Sequence, residues 1–123
     1  MADEEQIQAI RAGVAAWEKW KADNPRKRPD LTRANLNGLM LDGINLNGAR
    51  MREIDLESSS LRRANLAGAD LSRANLSNTD MTDAILMGTN LQGARLTGAT
   101  LTRADLRGAN LKGADIRQIK RGS

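Results

Sequence analysis

LRRANLAGADLSRANLSNTDMTDAILMGTNLQGARLTGATLTRADLRGANLKGADI, residues 61–116, repeats a five-residue unit built around one aliphatic residue. Leu61, Leu66, Leu71, Leu76, Met81, Leu86, Leu91, Leu96, Leu101, Leu106, Leu111 and Ile116 recur without a gap. Read backwards, the same register takes in Leu56, Met51, Leu46, Leu41, Leu36 and Leu31, eighteen consecutive positions in all. Two residues before the central one stands Ala in eleven of the eighteen units, and otherwise Pro29, Leu39, Ile44, Ile54, Ser59, Thr79 or Thr89. Asp or Asn dominates the position just before the centre, and Gly stands two residues after it nine times.

A period of five fits neither the turn of an α-helix, about 3.6 residues, nor the two-residue alternation of a flat strand. Wound as a helix, residues 71–110 would spread their Leu series around every side, and each Gly would cost up to about 1 kcal/mol. The chain must instead bend once every five residues. Four bends close a square coil of twenty residues, and coils stacked by β-type hydrogen bonds at about 4.8 Å give each backbone group a partner above or below. The fold expected is an all-β solenoid, a quadrilateral β-helix of about four and a half coils, with the aliphatic ladder pointing inward and small residues beside it.

The segments RANLNG (33–38), RRANLAGADLSRANLS (62–77) and GARLTGATLTRADLRGANLKGADI (93–116) carry a pattern Ala-Asp/Asn-Leu-X-X that resembles the pentapeptide-repeat family. The likeness covers about residues 29–119. It implies a right-handed coil of square cross-section and end-to-end dimers. It also implies one activity described in the family, mimicry of duplex DNA by an acidic rod that binds type II topoisomerases such as gyrase and protects them from quinolones. This chain departs from such mimics: residues 29–119 hold eleven Lys/Arg against ten Asp/Glu, no Phe stands at the central position, and no insertion breaks the register.

Composition narrows the rest. With two Trp and neither Phe nor Tyr in 123 residues, the interior must be narrow and filled by small and medium aliphatic side chains. His and Cys are absent, which removes the commonest general base, thiolate and imidazole metal ligands, and disulfides. No cofactor and no metal is expected. The opening MADEEQ is acidic where a secretory leader is basic, and no apolar run is long enough to span a bilayer, so the expected setting is the cytoplasm, with no membrane partner. The net charge of +4 sits mainly in Arg26, Lys27, Arg28 and the tail pair Lys120, Arg121. Without a basic stripe or stacking aromatics, nucleic acid is an unfavoured partner.

Three regions are expected: a capping helix and linker over residues 1–28, the repeat coil over 29–119, and a short basic tail over 120–123. Residues 4–22 read as a single helix, with Ile7, Ile10, Val14, Trp17 and Trp20 covering the open top of the first coil and Asn24-Pro25 stopping it. A membrane-surface or partner-binding helix is the rival reading of the same residues. At the other end, an unpaired edge around Ile116 and Ile119 is either folded over by the tail or met by a second copy.

Residues twenty apart stack in columns, so the four sides can be compared. The sides centred on Leu71 and on Leu61 show mixed charges, as a solvated surface does. The side centred on Leu46, Leu66, Leu86 and Leu106 is the least charged, and Ala67, Ile85 and Met87 make it the candidate partner surface. Ser58, Ser59 and Ser60 interrupt the pattern, but a serine nucleophile needs a base and none is near; inward Ser59, Thr79 and Thr89 read as packed hydroxyls. Acid pairs such as Asp80 with Asp83, or Asp55 with Glu57, lie on a convex surface without a pocket, so neither an enzyme nor a small-molecule substrate is expected. The reading that follows is a non-catalytic scaffold or protein-interaction module with an unidentified partner, with a topoisomerase ligand and a purely structural spacer or homodimer as alternatives.

Overall fold

The computed structural model describes residues 2–122. Each repeat unit performs the same local steps, and the unit around Leu71 shows them. Leu71 is buried; Ser72 and Arg73 form a turn; the Ala74 N–H closes it by donating to the Leu71 carbonyl at 3.0 Å; and residue 75 bridges to the neighbouring coils. The turn needs its third residue at positive φ, as a type II turn does. That position is Gly in nine units; in the others it is occupied by Arg33, Glu53, Ser58, Arg63, Arg73, Asn78, Asp83, Arg103 or Gln118, at φ between 56° and 61°. The Asp or Asn before the centre has an equally local cause. Asp70 Oδ1 accepts the Ser72 N–H at 3.0 Å, and Asn45, Asp55, Asn65, Asn75, Asp80 and Asn90 hold the same bond to the residue two ahead. Each such bond supplies the first bend of the turn from the side chain.

Pairing between coils is strictly twenty residues apart. Parallel bridges run from Asp30 with Arg50 to Thr100 with Lys120, one at every fifth residue, so four units carry the chain once around. The Met51 N–H donates to the Asp70 carbonyl at 2.8 Å, and the Asp70 N–H to the Ala49 carbonyl at 2.9 Å. Inside this ladder Leu31 through Leu101 of the aliphatic series are buried, with Ala49, Ala64, Ala69, Ala74, Ala84, Ala94 and Ala99 beside them. Burying one such aliphatic side chain contributes about 2 kcal/mol, repeated at each corner from Leu31 to Leu101.

Two expectations are corrected here. Among the described residues the only regular elements are two short α-helices, and there is no β-strand, sheet or barrel, so the all-β class and the quadrilateral β-helix solenoid do not describe the molecule. The reason is local. Two of every five residues form a turn, and one bridging residue lies between turns, which is too short a run for a strand; coils are joined by isolated bridges. The single N-terminal helix is also replaced by two, α1 (Glu4–Arg11) and α2 (Val14–Asp23). Gly13, at φ 113°, separates them in a conformation that L side chains rarely adopt.

That break lets both helices lie on the first coil. Ile7, Ile10, Trp17 and Trp20 join the same buried cluster as Leu31, with Val14 half-buried against it, and the two Trp rings stack at 5.1 Å and 17°. The upper edge of the first coil would otherwise carry unpaired backbone groups. The Asp30 N–H donates to Gln6 Oε1 at 2.6 Å, and the Asp30 carbonyl accepts from the Asp3 N–H at 3.1 Å. Arg11 Nη2 donates to the Asn35 carbonyl and Trp17 Nε1 to the Asn45 carbonyl, each at 2.8 Å. The helical segment thus takes the place of a preceding coil at three of four corners. At the fourth, Met40 is 73% exposed.

The last coil is less covered. Leu106 is half-buried, Leu111 is 37% and Ile116 50% exposed, and Ile119 is half-buried.

Candidate interaction surface

The side centred on Leu46, Leu66, Leu86 and Leu106 is built from three outward columns. Asn45, Asn65, Ile85 and Asp105 form the bridging column. Asn47, Ala67, Met87 and Arg107 follow the central residues, and Gly48, Gly68, Gly88 and Gly108 complete the turns at φ between 65° and 72°. The four glycines leave one corner of the stack without side chains. A Cβ at Gly48, Gly68 or Gly88 would meet nothing within 4 Å.

Ile85 occupies a place where Asn45, Asn65 and Asp105 each accept an N–H two residues ahead. It has no acceptor, so this corner forgoes a bond of about 1 kcal/mol. Ile85 and Ala67 are half-buried and Met87 is 38% exposed. Below them Arg107 is held by Asp105, with Nε–Oδ1 at 2.9 Å and Nη2–Oδ2 at 2.7 Å, and its Nη2 lies 3.4 Å from Met87 Sδ. The hydrogen bonds from Arg107 hold the Asp105 carboxyl below its usual value. The patch carries no charged residue of its own over three coils, with Arg28 Nε on the Gly48 carbonyl at 2.6 Å on its upper rim and an ion pair on its lower rim.

The remaining candidate residues lie apart from it. Ile116 and Ile119 are on the last coil, and the helical residues are on the first. Inward hydroxyls bond to backbone carbonyls: Ser59 to Leu36 at 3.0 Å, Thr79 to Leu76 at 2.8 Å, and Thr89 to Leu66 at 2.7 Å. Elsewhere Arg62 pairs with Asp80 at 3.1 Å and Arg103 with Asp83 at 2.8 Å. Among the described residues no group of three or more His, Cys, Asp and Glu could hold a metal ion, and no helix is long and apolar enough to cross a membrane.

Pentapeptide repeats match residues 30–53, 49–88 and 84–120, in eight copies. The chain belongs to the pentapeptide-repeat family. Its members are characteristically non-catalytic, and on that ground this repeat protein is not an enzyme. No curated protein matches it. Among solved structures, it is similar to HetL, a pentapeptide repeat protein involved in heterocyst differentiation regulation from the cyanobacterium Nostoc sp. strain PCC 7120: identity 33%, TM-score 0.65, 75% of this chain and 46% of that one. A pentapeptide repeat protein from the Arabidopsis thaliana thylakoid lumen is 29% identical at TM-score 0.57, over 73% of this chain and 59% of that one. The chain thus spans about half the length of these two structures. QnrB1, a plasmid-mediated fluoroquinolone resistance protein, aligns at 20% identity and TM-score 0.43 over 76% of this chain and 60% of that one.

Proposed function

We propose that this pentapeptide-repeat protein is a protein-interaction module that docks a partner on the side running from Asn45 to Gly108, with Ala67, Ile85 and Met87 at the contact. The observation that supports this reading most is the absence of any charged outward residue on that side over three successive coils, Asn45 to Gly88. No other side is free of charge over two coils in succession. Apolar groups on a flat, uncharged surface lose little solvation when covered, whereas the mixed-charge sides must give up ion pairs and water. The corner of glycines lets a partner approach the backbone closely. A cytoplasmic setting belongs to the same proposal.

The test is the double variant Ile85→Asp/Met87→Asp. A protein retained on immobilised wild type, and again when purified, should be lost from the variant while thermal unfolding stays within a few degrees. Equal retention by both removes this side as the docking surface.

A second reading is favoured by the last coil, where Leu111 and Ile116 are the exposed large apolar residues. Two copies meeting there end to end would bury Ile116 and Ile119. Sedimentation equilibrium should then show a dimer that Ile116→Asp converts to monomer, and a monomeric wild type would reject it.

A further inference from the structure

We propose that the side centred on Met51, Leu71, Leu91 and Leu111 carries an anion-binding groove that receives the carboxylates of an extended acidic segment of a protein partner. This groove is on a different side from the surface above and does not depend on it. It has a volume of about 360 Å³ and arises from a change within one column. The third turn position carries Arg33, Glu53 and Arg73 on the first three coils, then Gly93 and Gly113, so two coils lose their side chains there. A Cβ on Gly93 would stand 3.3 Å from Arg73 Cγ, so the Arg73 stem runs past Gly93 along the groove.

The acids on this side are already engaged. Glu53 lies 3.6 Å from Arg33 and 3.4 Å from Arg52. Asp70 Oδ1 accepts both the N–H and the hydroxyl of Ser72, at 3.0 and 2.6 Å. Arg52, Arg73 and Lys112 line the groove against Asp70 as the single lining carboxylate; with Arg52 balanced by Glu53, Arg73 and Lys112 against Asp70 leave a local excess of one positive charge. Among the described residues Arg73 and Lys112 make neither an ion pair nor a side-chain hydrogen bond. Asn90 Oδ1 is taken by the Gln92 N–H at 3.0 Å, which leaves the Asn90 amide N–H₂ to donate. Donors therefore exceed acceptors, and the matching ligand is rich in acceptors and negative charge.

The spacing argues for a chain over a single compact anion. Coils repeat at about 4.8 Å, so Arg52, Arg73 and Lys112, rooted on the second, third and fifth coils, are spread along roughly 14 Å of the stack. One phosphate cannot reach all three. Alternate side chains of an extended peptide are about 7 Å apart, which lets two or three carboxylates meet these cations in succession.

The probe is a labelled decapeptide of alternating Glu and Gly, titrated at about 50 mM salt. Its dissociation constant should be on the order of 100 μM and weaken at least tenfold in Arg73→Gln/Lys112→Gln. The charge-matched control Arg63→Gln/Arg121→Gln should bind within twofold of wild type. Because glycines stand on separate corners, their backbone amide resonances report location: Gly93 and Gly113 should shift, and Gly48, Gly68 and Gly88 should not. Equal weakening in the two double variants, no binding up to about 1 mM, or shifts confined to the other glycines would overturn the proposal. So would tighter binding of inorganic phosphate or of a ten-nucleotide single strand at Gly93 and Gly113.

Discussion

Replacing Trp17 with Ala tests whether the N-terminal helices are part of one cooperative structure. Trp17 is fully buried, stacks on Trp20 at 5.1 Å, and bonds to the upper edge of the first coil at the Asn45 carbonyl. Truncation of a buried Trp to Ala costs about 3–5 kcal/mol, and the lost ring pair and hydrogen bond place this site at about 4 kcal/mol. With a urea dependence of about 2 kcal/mol/M, the unfolding midpoint should fall by roughly 2 M. Trp17→Phe keeps most of the burial and loses the N–H, so its midpoint should fall by roughly 0.5 M. The assay has two independent probes. Trp17 and Trp20 are the only fluorophores in a chain without Tyr or Phe, so emission reports the helices, while far-ultraviolet circular dichroism reports the coil as well. Coincident wild-type transitions, both lowered in Trp17→Ala, are expected. A circular-dichroism midpoint unmoved by the substitution would refute the reasoning, because the helices would then only rest on a coil that is stable without them.

Gly88→Ala and Gly98→Ala both place a side chain at positive φ, at a cost of about 1 kcal/mol. At Gly98 the new Cβ also meets Asn78 Oδ1, the far end of a side chain that can turn aside, so both variants should lose about the same melting temperature; a clearly larger fall in Gly98→Ala would show that Asn78 is held in place. Partial burial raises the Asp30 and Asp80 carboxyls, but hydrogen bonds from Thr32 and Thr82 outweigh it, and both end below the usual value. Arg103 and Arg117 hold Asp83 and Asp115 down in the same direction. Groups whose folded values lie lower contribute stability that is fully present above the unfolded value of about 4 and is lost as pH falls through the folded values. Melting temperature should therefore stay level between about pH 5 and 8 in this His-free chain and decline below about pH 4, less steeply in Asp80→Asn; a decline beginning near pH 6 would contradict this. In a gyrase supercoiling assay the protein should neither inhibit nor protect against a quinolone, because none of its sides is predominantly acidic; an effect at low micromolar concentration would reverse that argument.

Much of the coil was legible because its causes are local. An aliphatic residue every five positions calls for a bend every five, and bridges twenty residues apart follow from it. The Asp/Asn and Gly preferences were visible as frequencies, and only the turn geometry supplied their reasons, a side-chain bond to the N–H two ahead and a residue at positive φ. The strand assignment failed because stacking was equated with strand formation, when one bridging residue between turns is too few. Gly13 was readable as a weak point within residues 4–22, yet the amphipathic pattern on either side of it read as one helix. The bonds that Gln6 accepts and that Arg11 and Trp17 donate had no signal in sequence, since their partners lie 24 to 28 residues away.

By itself the sequence determined the repeat register and membership of a non-catalytic repeat family. These follow from a period that one short segment can express. Tertiary structure decided which charges are neutralised, which corner is bare, and how the first coil is covered. Those outcomes depend on which residues stand over one another twenty positions apart and on how two helices meet an edge, and neither is contained in any single repeat.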